Sequence, residues 1–200
     1  MLKSRQLLLV AAVAATALAL SGCAPGNGGM SGMDDHAPDK PPASDSQVAA
    51  DFNDADVAFA QMMIPHHEQA VEMSDMLLAK DGIDQRVAEL AAQIKDAQQP
   101  EIDQLRDWLT DWGQQEADMG GMNHGGMMSD DDMTALEAAE GAEAARLFLE
   151  QMTEHHEGAI AMAEAEVDDG RSEDAKGMAA TIVATQTDEI ATMQELLASL

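Results

Sequence analysis

The sequence predicts an all-α protein, a four-helix bundle built from two copies of one helical hairpin, and three observations predict it. The first is composition. Aromatic residues are 2% of the chain and tyrosine is absent, while methionine reaches 16. Ala, Leu, Met, Glu and Gln dominate, and these favour helix, whereas Val and Ile are too few for a sheet protein. The second is periodicity: apolar residues recur at three- and four-residue steps over long stretches, which places them on one helical face. The third is duplication, because the second half of the domain repeats the first.

Residues 1–22 stand apart. Lys3 and Arg5 make a positive start, and Leu7 to Leu20 is an apolar run too short for a comfortable membrane span. Leu20-Ser21-Gly22-Cys23 then resembles the bacterial lipobox, whose cysteine is lipidated. The expectation is an exported protein, anchored by a lipid on Cys23 to the outer face of the bacterial cell membrane or held in the periplasm. The alternative is an ordinary signal peptide followed by an incidental cysteine. Cys23 is the single cysteine, so there is no internal disulfide and no thiolate for a metal. Removing Lys3 and Arg5 makes the formal charge more negative than its starting −28. So acidic a chain repels nucleic acid and anionic head groups and suits solubility or the capture of cations.

Residues 23–50 are rich in Gly, Pro, Ser, Asp and Ala with no apolar period, and read as a flexible tether carrying Met30, Met33 and His36. The domain, 51–200, divides into repeat one (51–112), a loop (113–133) and repeat two (134–200). A first helix starts near Asp51, with Phe59, Met62, Met63, His66, Ala70, Met73 and Leu77 on one face, and Asp81-Gly82 ends it. A second covers about 84–112, with Val87, Leu90, Ile94, Leu105 and Trp108 inward. A third covers about 134–167 and is ended by Asp169-Gly170. The fourth covers about 172–200. At about 28 residues each helix would span about 42 Å. Pro65 and Pro100 fall inside the first two helices and read as kinks; the alternative is a helix that begins at Pro65.

The repeats align closely. His66-His67-Glu68 matches His155-His156-Glu157, and Phe59, Met63, Ala70 and Met73 match Phe148, Met152, Ala159 and Met162. Beyond the turn, Ile94, Gln98, Glu101 and Leu105 match Ile182, Gln186, Glu189 and Met193. On a helical wheel His66 lies at the middle of the apolar face with Met62 and Met73 beside it, and His67 lies on the flank near Met63. His155, Met162, His156 and Met152 repeat this, with Gln151 in place of Met62. Each repeat thus offers its own cluster of thioethers and imidazoles, and Met63–His67 and Met152–His156 are i, i+4 pairs able to share an ion. Gln98, Glu101, Gln186 and Glu189 fall on inward faces and need partners; the inward histidines are the natural ones, since a carboxylate or amide on the second ring nitrogen orients the ligand nitrogen.

Thioethers favour Cu(I), and imidazole suits copper in either oxidation state, so the pattern predicts copper, with Cu(I) favoured. The loop adds Met119, Met122, His124, Met127 and Met128 among glycines as weaker candidates, since methionine there has no core to fill. Taken singly, methionines on an apolar helical face are more often core than ligands. The buried Gln and Glu could likewise form a network unrelated to metal.

The string Met63-Ile64-Pro65-His66-His67-Glu68-Gln69-Ala70-Val71-Glu72-Met73 resembles the signature of domain-of-unknown-function family 305. Asp56-Val57-Ala58-Phe59 upstream and Gln98-Gln99-Pro100-Glu101-Ile102 to Trp108-Leu109 downstream extend the resemblance, which covers about 51–200. It implies a ferritin-like helical fold, export and, in some members, copper binding or copper tolerance. Carried over residue by residue, it places the ligand role on Met63, His66, His67 and Met73, and in repeat two on Met152, His155, His156 and Met162. Repeat two departs with Glu154 for the proline and Ala145 for Asp56, so its site can differ in affinity. The leading expectation is a non-enzymatic envelope protein that binds copper for sequestration, tolerance or delivery, with a copper-handling protein or a second copy as partner. A carboxylate–histidine metal oxidase is the alternative, although the Glu-x-x-His pairs of di-iron bundles are absent from the aligned helices. A structural lipoprotein whose histidines only pack is the third.

Overall fold

The computed structural model describes residues 51–117 and 125–200, which fall within one compact unit, Ser46–Leu200. The expected signal segment, Cys23 and the tether lie outside the described residues. The domain is all-α, and no strand occurs among the described residues. Its helices are α1 (Asp54–Leu78), α2 (Gln85–Asp111), α3 (Asp130–Ala138), α4 (Gly141–Asp169) and α5 (Glu173–Ser199). Among these none is long and apolar enough to cross a membrane.

Local chemistry sets the helix starts. The Asn53 side chain accepts the N–H groups of Ala55 and Asp56 at 2.8 and 3.2 Å, and the Asp56 carboxylate accepts the Asn53 N–H at 2.5 Å. This capping box satisfies donors that the first turn leaves open. Asp84 caps α2, Ser172 caps α5, and Ser129 with Asp132 forms a second capping box on α3. Pro65 and Pro100 sit inside α1 and α2, and both helices run through them. A helix beginning at Pro65 is thereby excluded. Each proline forfeits a backbone donor, and buried neighbours such as Ile64 and Ile102 hold the helices in place.

Two boundaries differ from expectation: a helix already starts at Asp130, inside the expected 113–133 loop, and the expected third helix is interrupted. The single third helix over 134–167 is two helices, α3 and α4, separated at Ala139 and Glu140. Gly141 takes φ +53, which lets the chain turn there, while Leu136 is fully buried and fastens α3 to the core. The two Asp-Gly stops also differ from each other. Gly82 adopts φ +75 in the α1–α2 turn, a conformation that suits glycine. Gly170 has φ −66, and space is what it supplies, since a Cβ there would lie 2.2 Å from Glu166 Oε1.

α1 packs on α2, α4 packs on α5, and the two hairpins meet along α1 and α4, with α3 bridging these two central helices. The buried side chains form two clusters. One joins Phe59, Ala60, Met63 and Ile64 of α1 to Ala159 and Ala163 of α4. The other joins Ala70, Met73 and Leu77 of α1 to Ala144, Phe148, Leu149 and Met152 of α4. The beginning of α1 therefore lies against the end of α4, and the reverse, so the central pair runs antiparallel. The histidines fall between the two clusters.

Candidate metal centre

Antiparallel packing brings the two His-His pairs to one level. His66 of α1 and His155 of α4 face each other with ring centroids 3.7 Å apart at an interplanar angle of 40°. His156 lies 6.4 Å from His155, and all four rings are buried. The repeats thus contribute to one histidine layer across the α1–α4 seam, where the sequence suggested a separate cluster in each. Burial first, then the neighbouring His66, His156 and His67, push His155 well below the usual histidine range. It is a neutral imidazole at neutral pH, the form that binds metals.

The flanking histidines make the polar contacts. His67 Nε2 lies 2.8 Å from Glu101 Oε2, and His156 Nε2 lies 2.8 Å from Glu189 Oε2. A carboxylate accepts, so each Nε2 carries the proton and donates it. In a neutral ring Nδ1 then holds the lone pair, and neither His67 Nδ1 nor His156 Nδ1 has a hydrogen-bond partner. A buried imidazole nitrogen with no donor, oriented by a carboxylate on the far side of the ring, has the form of a metal ligand. Glu101 and Glu189 keep 23% and 22% of their side chains exposed, so each links a buried ring to solvent.

Of the expected partners of the central histidines, Glu101 and Glu189 therefore serve His67 and His156 instead. The 100° step of a helix carries His67 away from α4 and toward α2, and His156 toward α5. Because α1 and α4 each pack against two long helices, the apparent flank is as buried as the centre. Gln98 and Gln186 are buried at this level, but neither Gln98 Nε2 nor Gln98 Oε1, nor Gln186 Oε1, meets a partner.

The methionines regroup across repeats. Met63 and Met152 are fully buried, each one turn before its His pair. Met73 is also fully buried, but it lies seven residues beyond His66, about 10 Å along the helix axis. It joins Met152 and Met128 in one cluster, while Met63 lies in the other with Met162 packed at its edge. Met62 and Met162 line one groove of about 120 Å³ with Phe59 and Glu166. Met127 is partly buried; Met119, Met122 and His124 lie outside the described residues. Among the described residues no three His, Cys, Asp or Glu side chains converge as a metal-ligand set. A soft ion here would need thioethers beside imidazole, and Met63 and Met152 stand nearest in sequence.

Two further constellations escaped the sequence reading. At one end of the α1–α4 seam, Asp56 is fully buried and accepts the N–H groups of Arg171 at 3.1 Å and Ser172 at 2.8 Å. Burial alone would raise Asp56, but hydrogen bonds from Asn53, Ser172, Glu166 and Arg171 hold it below the ordinary aspartate value. Burial, a hydrogen bond to Asp56 and that residue's charge push Glu166 up to about 8. Glu166 therefore favours its protonated, neutral form at neutral pH. The second constellation fastens the end of the inter-repeat loop. Gln69 Nε2 donates to the Met128 carbonyl at 3.0 Å, and Met128 N–H donates to Gln69 Oε1 at 2.7 Å. A glycine inside a helix was the available signal for its other anchor, Gly158.

The family model described as Domain of unknown function (DUF305) matches residues 56–197. Among solved structures, a presumed secreted DUF305 protein from Streptomyces coelicolor is 34% identical, with a TM-score of 0.66, covering 72% of this chain and 93% of that one. A DUF305 fragment from Deinococcus radiodurans is 30% identical, with a TM-score of 0.69, covering 74% and 98%. CopM in its Cu(II)-bound form is 28% identical, with a TM-score of 0.64, covering 72% and 96%; Cu(I)-bound and silver-bound forms of CopM match as well. No curated protein matches. On the span of the family model and the likeness to these structures, the chain belongs to the DUF305 family.

Proposed function

We propose that this is a cell-envelope copper-binding protein that takes up copper, preferentially Cu(I), for sequestration, tolerance or delivery. The observation that carries the reading is the buried histidine layer, in which Glu101 and Glu189 turn the free Nδ1 atoms of His67 and His156 into the interior. Met63 and Met152 lie one turn away, and neutral imidazole with thioether is a soft ligand set that needs no deprotonation. CopM, bound to Cu(I), Cu(II) or silver in its solved forms, supports copper as the ion at 26–28% identity. No catalytic step is required. The proposed ligands are Met63, His66, His67, Met152, His155 and His156, with Met73 and Met162 farther out. The loop residues Met119, Met122, His124 and Met127 would form a weaker site, whereas Met128, the fifth loop candidate, does have a core to fill and is buried in it.

The test is a competition titration against a Cu(I) chelator with His66→Leu/His155→Leu. Leucine fills similar volume and leaves no ring nitrogen, so tight binding should disappear while the helical circular dichroism persists. Unchanged tight binding that disappears only on deleting the loop would move the site there and leave the histidines as core. Export and a lipid anchor on Cys23 belong to the same proposal and rest on the lipobox. Cys23→Ser should release the protein from membranes, and a variant still bound there would refute the anchor.

A further inference from the structure

The end of the inter-repeat loop crosses the α1–α4 seam at the level of the histidines. On α1, Gln69, one turn beyond His66, holds the Met128 backbone by both its N–H and its carbonyl. On α4, the turn that contains His155 and His156 meets the glycines. A Cβ on Gly126 would lie 2.8 Å from the Glu154 carbonyl oxygen and 2.8 Å from Gly158 Cα. A Cβ on Gly158 would lie 2.0 Å from the Gly125 carbonyl oxygen. Gly126 also holds φ +86, so it is glycine for conformation as well as for space. A segment that touches Gln69 and the 154–158 turn together must lie across the seam over His66 and His155.

The two anchors are the same position in the two repeats. Gln69 and Gly158 align when His66 aligns with His155. One copy has become a side chain that grips the segment's backbone, and the other has lost its side chain so that the backbone can sit on the helix. A glycine in a helix interior is unfavourable, which makes its presence here informative. The strap between the anchors is thin: Met127 is partly exposed, while the Met128 side chain is buried beside Ala70 and Met73.

We infer that residues 125–128 form an access strap over the histidine layer, and that soft cations enter and leave by its local opening. The strap itself is read from its contacts alone; its role in ion exchange rests on the copper reading above. Short segments with few buried contacts open far more often than the core they cover.

The experiment compares the wild type with Gln69→Ala, which removes both strap bonds, and with Gly158→Ala, which occupies the seat. In the metal-free proteins, hydrogen exchange at the Met128 amide and carbethoxylation of the four histidines by diethyl pyrocarbonate are read by mass spectrometry. Losing the two bonds should raise both by roughly tenfold. Stopped-flow Ag(I) uptake and release should accelerate together, leaving affinity nearly unchanged. An exposed Met128 amide with unaltered histidine reactivity would overturn the strap as a cover. Raised reactivity with unaltered Ag(I) rates would overturn its role in exchange. Absence of Ag(I) and Cu(I) binding from wild type and variants would sink the copper reading and the exchange role, while histidine reactivity would still decide whether the strap covers the layer. Should Gly158→Ala fail to fold, Gln69→Ala carries the test alone, since Gln69 is only partly buried.

Discussion

At the level of the histidines the two repeats are near copies. His67 meets Glu101 and His156 meets Glu189 at the same 2.8 Å, and both rings are fully buried. Away from that level they part. Repeat one has Asp56 where repeat two has Ala145, Gln69 where it has Gly158, and Pro65 where it has Glu154. Two of these differences serve fasteners found once among the described residues: the Asp56–Glu166 pair at one end of the seam, and the strap across its middle. Duplication is retained where both copies supply chemistry to a shared layer, and it is lost where one copy suffices to close the structure.

Copying repeat two into repeat one at its most asymmetric point should have the largest effect. Asp56→Ala removes the acceptor of the Asn53, Arg171 and Ser172 N–H groups, together with half of a capping box. The expected loss is about 3 kcal/mol, the sum of a lost cap and stranded buried donors. Urea unfolding should show the midpoint fall with little change in slope. A loss below about 1 kcal/mol would mean that those donors find other acceptors and that Asp56 is replaceable.

The symmetric positions give the next largest effect. Glu101→Gln and Glu189→Gln each preserve shape but offer an amide where the carboxylate fixes the ring. Each should weaken copper binding by roughly 10- to 100-fold, the usual size for a group that orients a ligand. Equal losses would establish that both repeats feed one centre. A loss confined to one variant would assign the ion to that repeat and leave the other pair as packing.

Much of this arrangement is legible in the sequence, and what is not has physical causes. The helices, their apolar faces and the alignment of the His pairs all follow from local periodicity. Pairing of Glu101 with His67 does not, because a wheel drawn for one helix cannot show that α1 packs between α2 and α4 and buries its flank too. Nor does the fusion of two clusters into one layer, which depends on the antiparallel meeting of α1 with α4. The break at Ala139 and Glu140 hides in an Ala- and Glu-rich run whose only marker is Gly141. The asymmetric fasteners, by contrast, leave a trace. Asp56 against Ala145 and Gln69 against Gly158 are mismatches inside an otherwise close alignment, and both prove to be contact points.

The latch at Asp56 and Glu166 should also make stability depend on pH in a way that its vacant counterpart at Ala145 cannot. Glu166 binds its proton more tightly when folded, with its pKa pushed from 4.5 to about 8. Between those values the folded state holds a proton that the unfolded state has lost, so stability falls as pH rises. Asp56 acts in the opposite sense: its lowered pKa gives stability above the ordinary aspartate range that is lost as pH falls through the depressed value. Glu166→Gln keeps a neutral group there at every pH. It should flatten the decline on the alkaline side and leave the variant more stable than wild type above pH 8. Parallel curves for the two proteins would show that Glu166 already ionises normally.

The smallest expected effect separates two glycines of repeat two that look alike in sequence. Gly158 and Gly177 each lie inside a helix, α4 and α5. A Cβ at Gly158 strikes the strap, whereas a Cβ at Gly177 meets nothing within 4 Å, and the residue is exposed. Glycine there incurs the backbone-entropy cost without supplying a turn or a close approach, and repeat one carries Glu89 at the aligned position. Its carbonyl accepts the Thr181 hydroxyl at 2.9 Å, a bond that a side chain at position 177 does not disturb. Gly177→Ala should therefore stabilise the protein by about 0.5–1 kcal/mol. That corresponds to roughly 2–4 °C in Tm at the upper end for a domain of this size. Gly158→Ala, the same chemical change on the neighbouring helix, should give no such gain, because the helix-propensity benefit is offset by displacing Gly125. Equal gains from both substitutions would mean that the strap yields at no cost, and the thermal melts of the two variants decide it directly.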